Sequence, residues 1–104
     1  MLEIRKDKTG SYRFAIKSLE GHDLLVSIPF AERGEAERMV GRLRSLAQNP
    51  SCVERKTDHL GRFHFSLRSA DGSPIGNSLF YRSEAGMENG IKNTLRRIAG
   101  MELE

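Results

Sequence analysis

Two stretches of the chain alternate apolar and polar residues in the same way. Tyr12, Phe14 and Ile16 fall on one parity, and Arg13, Ala15 and Lys17 on the other. Phe63, Phe65 and Leu67 likewise oppose Arg62, His64, Ser66 and Arg68. A period of two with one apolar face predicts a half-buried antiparallel strand. Leu24, Val26, Ile28 and Phe30 continue the period, with Ile75, Asn77, Leu79 and Tyr81 as their counterparts. Leu2 and Ile4, matched by Val53, predict an earlier strand in each half. Elsewhere the period changes. Ala36, Met39, Val40, Leu43, Leu46 and Ala47 form one helical stripe, and Met87, Ile91, Leu95 and Ile98 form another.

These patterns recur 51 residues apart. Asp7-Lys8-Thr9-Gly10 lines up with Asp58-His59-Leu60-Gly61, and Glu20-Gly21 with Asp71-Gly72. In such turns Asp bonds the backbone and Gly supplies a positive φ. Ser83 is the expected N-cap of the second helix, Gly100 its expected end, and Asn49-Pro50 the end of the first. Short strands are expected after each helix, over Ser51–Lys56 and Gly100–Glu104. The chain therefore reads as one α+β domain over 1–104, made of two tandem β-β-β-α(-β) repeats, about 1–51 and 52–104. Both helices are expected on one face of a single antiparallel sheet, over Tyr12, Phe14, Phe63 and Phe65.

Composition changes this picture little. Charged residues make up 30% of the chain and apolar ones 38%, enough for a modest core. The opening Met1-Leu2-Glu3-Ile4-Arg5 is too polar for a signal peptide, and no apolar run approaches a membrane span. Cys52 is the only cysteine, which points to a reducing compartment, the cytoplasm.

The chain resembles the YegP-like family of small bacterial proteins. The likeness is carried by Asp58-His59-Leu60-Gly61-Arg62-Phe63-His64-Phe65-Ser66-Leu67-Arg68, by Asp71-Gly72, and by the run from Tyr81 to Ile91. Its most specific part is Glu88-Asn89-Gly90-Ile91. The first half departs there, with Glu37-Arg38-Met39-Val40. The resemblance implies β3-α-β units that share a sheet and exchange their last strands, and it carries over no activity. We read Glu88, Asn89, Gly90 and Ile91 as structural, with Gly90 allowing the helix to approach the sheet; a ligand role for Asn89 is the alternative.

No motif names a reaction. His22 and His59 fall in turns, His64 lies on a polar strand face, and none has metal-site spacing. No cofactor, metal or catalytic residue is expected, and catalysis is the less favoured role. Net charge is +3, a mild excess. Arg13, Lys17, His64 and Arg68 on the outer sheet face are the candidate contacts for a weak nucleic-acid or other anionic partner. Arg5, Lys56 and Arg62 stand nearby, Glu3 and Glu54 dilute them, and Phe80 is the one strand aromatic pointing outward. Acids early and bases late in each helix suit its dipole, and Glu88 is expected to pair with Lys92. The favoured role is a small non-catalytic binding or structural module. The alternative is a ligand-binding protein or enzyme with its site at the seam between the repeats. A monomer with internal pseudo-twofold symmetry is expected, a strand-swapped dimer being the other outcome.

Overall fold

The structure is a computed structural model that describes residues 2–100. Three strands come first: β1 (Leu2–Lys6), β2 (Tyr12–Lys17) and β3 (Asp23–Ser27). Helix α1 (Arg33–Ala47) follows, then a single 3-10 turn (Pro50–Cys52). Three further strands, β4 (Val53–Thr57), β5 (Phe63–Arg68) and β6 (Pro74–Asn77), precede helix α2 (Glu84–Ala99). The six strands form one sheet in the order β1-β2-β3-β6-β5-β4, antiparallel throughout. The segment after α1 is thus an edge strand beside β5. The strand expected over Gly100–Glu104 falls, beyond Gly100, outside the described residues.

Turn chemistry fixes the hairpins as the sequence predicts. Gly10, Gly21, Gly61 and Gly72 all have positive φ, between 77° and 88°. Asp7 Oδ1 accepts the amides of Thr9 and Ser11 at 2.9 and 3.0 Å. Asp58 Oδ1 accepts those of Leu60 and Arg62 at 3.0 and 2.9 Å. Helix starts differ. The Ser83 hydroxyl accepts the Gly86 amide at 3.0 Å, whereas the Glu32 amide donates to Glu35 Oε1 at 3.2 Å. Helix α1 is capped at Gln48, just before Asn49-Pro50, and α2 at Gly100.

Phe14, Ile16, Leu25, Phe65, Leu67 and Ile75 meet Leu43, Met87, Ile91 and Ile98 in one core between sheet and helices. Phe14 and Phe65 are fully buried; Tyr12 and Phe63 are half-buried at its margin. Phe14 stacks on Phe30 at 6.3 Å between centroids, and Phe65 on Tyr81 at 6.4 Å. Cys52 packs into the same core.

The third strand of each half departs from its expected alternation. A bulge lies between Ile16 and Lys17 in the β2–β3 pairing, and another between Leu67 and Arg68 in β5–β6. Two residues then oppose one, and the parity shifts. Leu25 pairs with Ile16 on the core side, and Val26 with Ala15 on the outer side. Leu24 and Ile75 sit at the irregularity and are both buried, while Asn77 and Leu79 are exposed. Past the bulge each half uses a serine as a plug. The Ser27 hydroxyl accepts the Phe14 amide at 2.9 Å and donates to the Ile28 carbonyl at 2.8 Å. Ser78 does the same for Phe65 and Leu79, at 3.0 and 2.8 Å. A backbone donor buried beneath a helix is thereby satisfied.

The halves meet along β3 and β6 through two paired positions, Val26 with Asn77 and Ser27 with Gly76. A Cβ on Gly76 would stand 2.8 Å from the Val26 carbonyl oxygen and 3.0 Å from Leu25 Cδ2. The Leu25 side chain fills that space instead.

Candidate functional site

Register decides which side chains share the solvent face of the sheet. Glu3, Arg5, Arg13, Ala15, Lys17 and Val26 come from the first half. Glu54, Lys56, His64, Ser66, Arg68 and Asn77 come from the second. Of the four predicted contacts, Arg13 and Lys17 stand on β2, and His64 and Arg68 on β5. Two strands lie between β2 and β5, a separation of roughly 14 Å at the usual strand spacing. The strip between is uncharged: Ala15 and Val26 beside Ser66 and Asn77, with the Ser66 hydroxyl donating to Asn77 Oδ1 at 2.6 Å. The four residues therefore form two groups.

Carboxylates occupy the first group. Arg13 Nε reaches Asp7 at 3.2 Å, and its Nη1 donates to the Ser27 carbonyl at 2.9 Å. Lys17 lies 3.5 Å from Glu3 and 3.9 Å from Asp23. Arg5 bonds Asp23 at 3.0 Å, the leading reason its pKa is raised. Three cations thus face Glu3, Asp7 and Asp23. Sequence patterning marked Glu3 as a diluting charge; Asp7 and Asp23 were missed, because both sit at hairpin ends where their role as turn residues masks their reach.

The second group is organised round an aromatic ring. Phe80 is 52% exposed, and the Arg62 guanidinium carbon lies 4.0 Å from its centroid. His64 meets the ring edge-on at 5.2 Å. Asp58 holds Arg62 from behind, with Nε and Nη2 both 2.8 Å from Oδ2. His64 Nδ1 is buried and makes no hydrogen bond. Arg68 Nε stands 2.6 Å from Glu54 Oε2 in ion-pair contact, but without hydrogen-bond geometry, and its Nη1 donates to the Gly72 carbonyl at 2.9 Å. Lys56 lies 3.6 Å from the same Glu54. The first half has no such ring: Pro29 and Ser11 stand where Phe80 and Arg62 do.

The Glu88-Asn89-Gly90-Ile91 segment lies on α2, with Gly90 and Ile91 facing the core. Ile91 is buried among the core residues. A Cβ on Gly90 would overlap the Tyr81 hydroxyl and come within 2.5 Å of Cζ. The glycine thus leaves room for the ring of Tyr81, which is bridged to Phe63 at the start of β5. Burial raises the Tyr81 pKa. Asn89 is exposed. Glu88 does not pair with Lys92 as the helical spacing predicts. It takes Arg55 of β4 in a two-point contact at 2.5 and 3.0 Å, which lowers its own pKa and raises that of Arg55. A forked guanidinium on the adjoining strand outcompetes a flexible ammonium one turn away. Among the described residues no group of three or more His, Cys, Asp or Glu could hold a metal ion. None of the helices there is long and apolar enough to cross a membrane.

Residues 58–96 match a family described as a domain of unknown function, DUF1508. The chain is 30% identical over 89 residues to UPF0339 protein YegP of Escherichia coli (strain K12), spanning 86% of this chain and 81% of that protein. It is 28% identical over 93 residues to UPF0339 protein PA0329 of Pseudomonas aeruginosa, spanning 89% and 84%. The solution NMR structure of the E. coli protein of unknown function yegP shares the fold with a TM-score of 0.85 at 28% identity, over 97% of this chain and 85% of that one. UPF0339 protein SO3888 from Shewanella oneidensis gives a TM-score of 0.89 at 21% identity, over 96% and 85%, a likeness of fold.

Proposed function

This chain belongs to the UPF0339 protein family, and we propose that it is a small non-catalytic binding module whose contact surface is the solvent face of β4 and β5 with Phe80. The relatives are described without an activity, so the reading rests on the side chains. One observation carries it: an exposed ring held in place by Arg62 on its face and His64 at its edge. A fixed ring beside Arg62, Lys56 and Arg68 suits single-stranded nucleic acid, where a base stacks and phosphates meet cations. The carboxylates Glu54 and Asp58 keep such binding weak and sequence-tolerant. Arg13 and Lys17 take a lesser part, because Asp7, Glu3 and Asp23 already neutralise them.

We also read the two halves as tandem copies of one unit in a monomer. A single buried cysteine fits a reducing compartment, and we place the protein in the cytoplasm.

Fluorescence anisotropy with labelled single-stranded DNA and RNA oligomers across a salt series tests the function. Two to three phosphate contacts predict a log–log slope of about −1.4 to −2.1. Phe80→Ala should weaken binding on the order of tenfold, since stacking contributes about 1–3 kcal/mol per base. Absence of binding at low salt, or a Phe80→Ala protein that binds like the parent, refutes the reading.

A further inference from the structure

A second surface lies on the opposite side of the sheet, where α1 of the first half meets the β5–β6 hairpin of the second. A cleft of about 360 Å³ opens there, lined by Met39, Arg42, Ser69, Ala70, Asp71 and Ser73. That volume falls at the small end of ligand sites and suits a molecule of amino-acid size.

Opposite charges line this cleft without touching. Arg42 and Asp71 form no ion pair, and Arg42 has no ionic partner among the described residues. The cations of the sheet face, by contrast, are occupied. Asp71 is held in place: its Oδ1 accepts the Ser73 amide at 2.9 Å and the Ser69 hydroxyl. The Ser69 hydroxyl and the Ser73 amide keep its carboxyl down at about 2, so it is charged at any cellular pH. Met39 supplies an apolar wall. Met39 and Arg42 stand where α2 carries Gly90 and Asn93, so the cleft coincides with the departure of α1 from the family's motif. A smaller cleft, about 150 Å³ beside β4 and the start of α2, has its cations Arg55 and Lys56 already taken by Glu88 and Glu54.

We infer that the cleft between α1 and the β5–β6 hairpin binds a small zwitterion, its carboxylate on Arg42, its ammonium on Asp71 and a short apolar side chain on Met39. An ion of one sign meets repulsion at one end of the cleft, whereas a molecule bearing both charges meets an opposite charge at each. Both charges face water, so affinity is modest, on the order of millimolar.

Heteronuclear NMR titration with three probes tests this: L-leucine, 4-methylpentanoate, which lacks the ammonium, and 3-methylbutylamine, which lacks the carboxylate. Leucine should shift the Met39 methyl and the Ser69–Ser73 amides saturably. Each truncated probe should bind at least about tenfold more weakly. Arg42→Gln alters an exposed side chain with no ionic partner among the described residues, so it should keep the fold while reducing leucine binding to the level of the amine. Asp71→Asn, with its fold verified from the same spectra, should reduce it to the level of the carboxylate. Three results overturn the assignment: no saturable shift with leucine up to about 50 mM, truncated probes that bind as well as leucine, or leucine binding that Arg42→Gln leaves intact.

Discussion

The two halves of the molecule share their stacked rings, serine plugs and hairpin turns, and differ in many of the side chains they turn to solvent. Phe14 over Phe30 matches Phe65 over Tyr81, Ser27 matches Ser78, and each hairpin glycine has its counterpart. At the margins the agreement ends. Pro29 answers Phe80, Ile4 answers Arg55, and Met39 and Arg42 answer Gly90 and Asn93. A shared interior restrains what can change, because packing errors there cost several kcal/mol. Surface exchanges cost far less, so the halves can carry separate recognition surfaces on one frame.

The largest effects should show the agreement. Phe14→Ala and Phe65→Ala should each destabilise by about 3–5 kcal/mol in urea unfolding, since both rings are buried under the helices. A large inequality between them would mean that one half supplies the core and the other leans on it.

Helix glycines should then separate the halves. Gly41 in α1 has open space round its missing Cβ, so Gly41→Ala should stabilise by up to about 1 kcal/mol. Gly90→Ala gains the same helical preference but drives a methyl into the Tyr81 ring, which overpacking prices at about 1–3 kcal/mol. A net loss is expected, shrinking in a Tyr81→Phe background. Thermal melts of the parent, Gly41→Ala, Gly90→Ala, Tyr81→Phe and the Gly90→Ala/Tyr81→Phe double variant decide it; equal gains at both positions would remove the packing account of Gly90.

Smaller still is the pair Arg55–Glu88. Both side chains are about half exposed, so Glu88→Gln should cost under about 1 kcal/mol, less at high salt. Glu37→Gln, at the matching place in α1, where Ile4 stands in the position of Arg55, should cost nothing measurable.

Acid should distinguish the hairpins least of all in size, yet clearly in position. The Thr9 hydroxyl, Arg13 and two backbone amides hold the Asp7 carboxyl at about 2, against burial that raises it. At Asp58 desolvation raises the pKa, and the Arg62 amide and guanidinium outweigh it, so the net shift is again downward; Leu60 stands where Thr9 would add a hydroxyl. A depressed folded-state pKa stabilises above the ordinary carboxylate range and is lost as pH falls through the folded value. The Asp7 contribution should therefore be complete above about pH 4 and fade toward pH 2. NMR titration of both carboxyls, with Asp7→Asn as control, reads this directly.

Much of the frame was legible in the chain. Alternation placed β2 and β5, the 3.6-residue stripe placed both helices, and Asp-x-x-Gly placed the turns. The third strands were misread because a bulge shifts parity, and Leu24-Leu25 carries no mark that says which leucine turns inward. The serine plugs at Ser27 and Ser78 had a signal, a matched hydroxyl at the end of an apolar run. The surfaces were less legible. Charge type predicted cations on the sheet face, but pairing is a property of three dimensions, and Asp23 and Asp7 reach them from turns. Phe80 stood out as the one outward ring. The cleft had no local signature, since Arg42 and Asp71 are brought together only by the meeting of the halves.

That meeting is narrow in backbone terms, two paired positions between β3 and β6. Yet α2 rests on β2 and β3 as well as on β5, and α1 lies against α2. One lid, α2, therefore closes partly over the neighbour's floor. Neither fifty-residue piece owns a complete interior, so severing the chain near Asn49 should leave two fragments that stay loose alone and regain order only in each other's company.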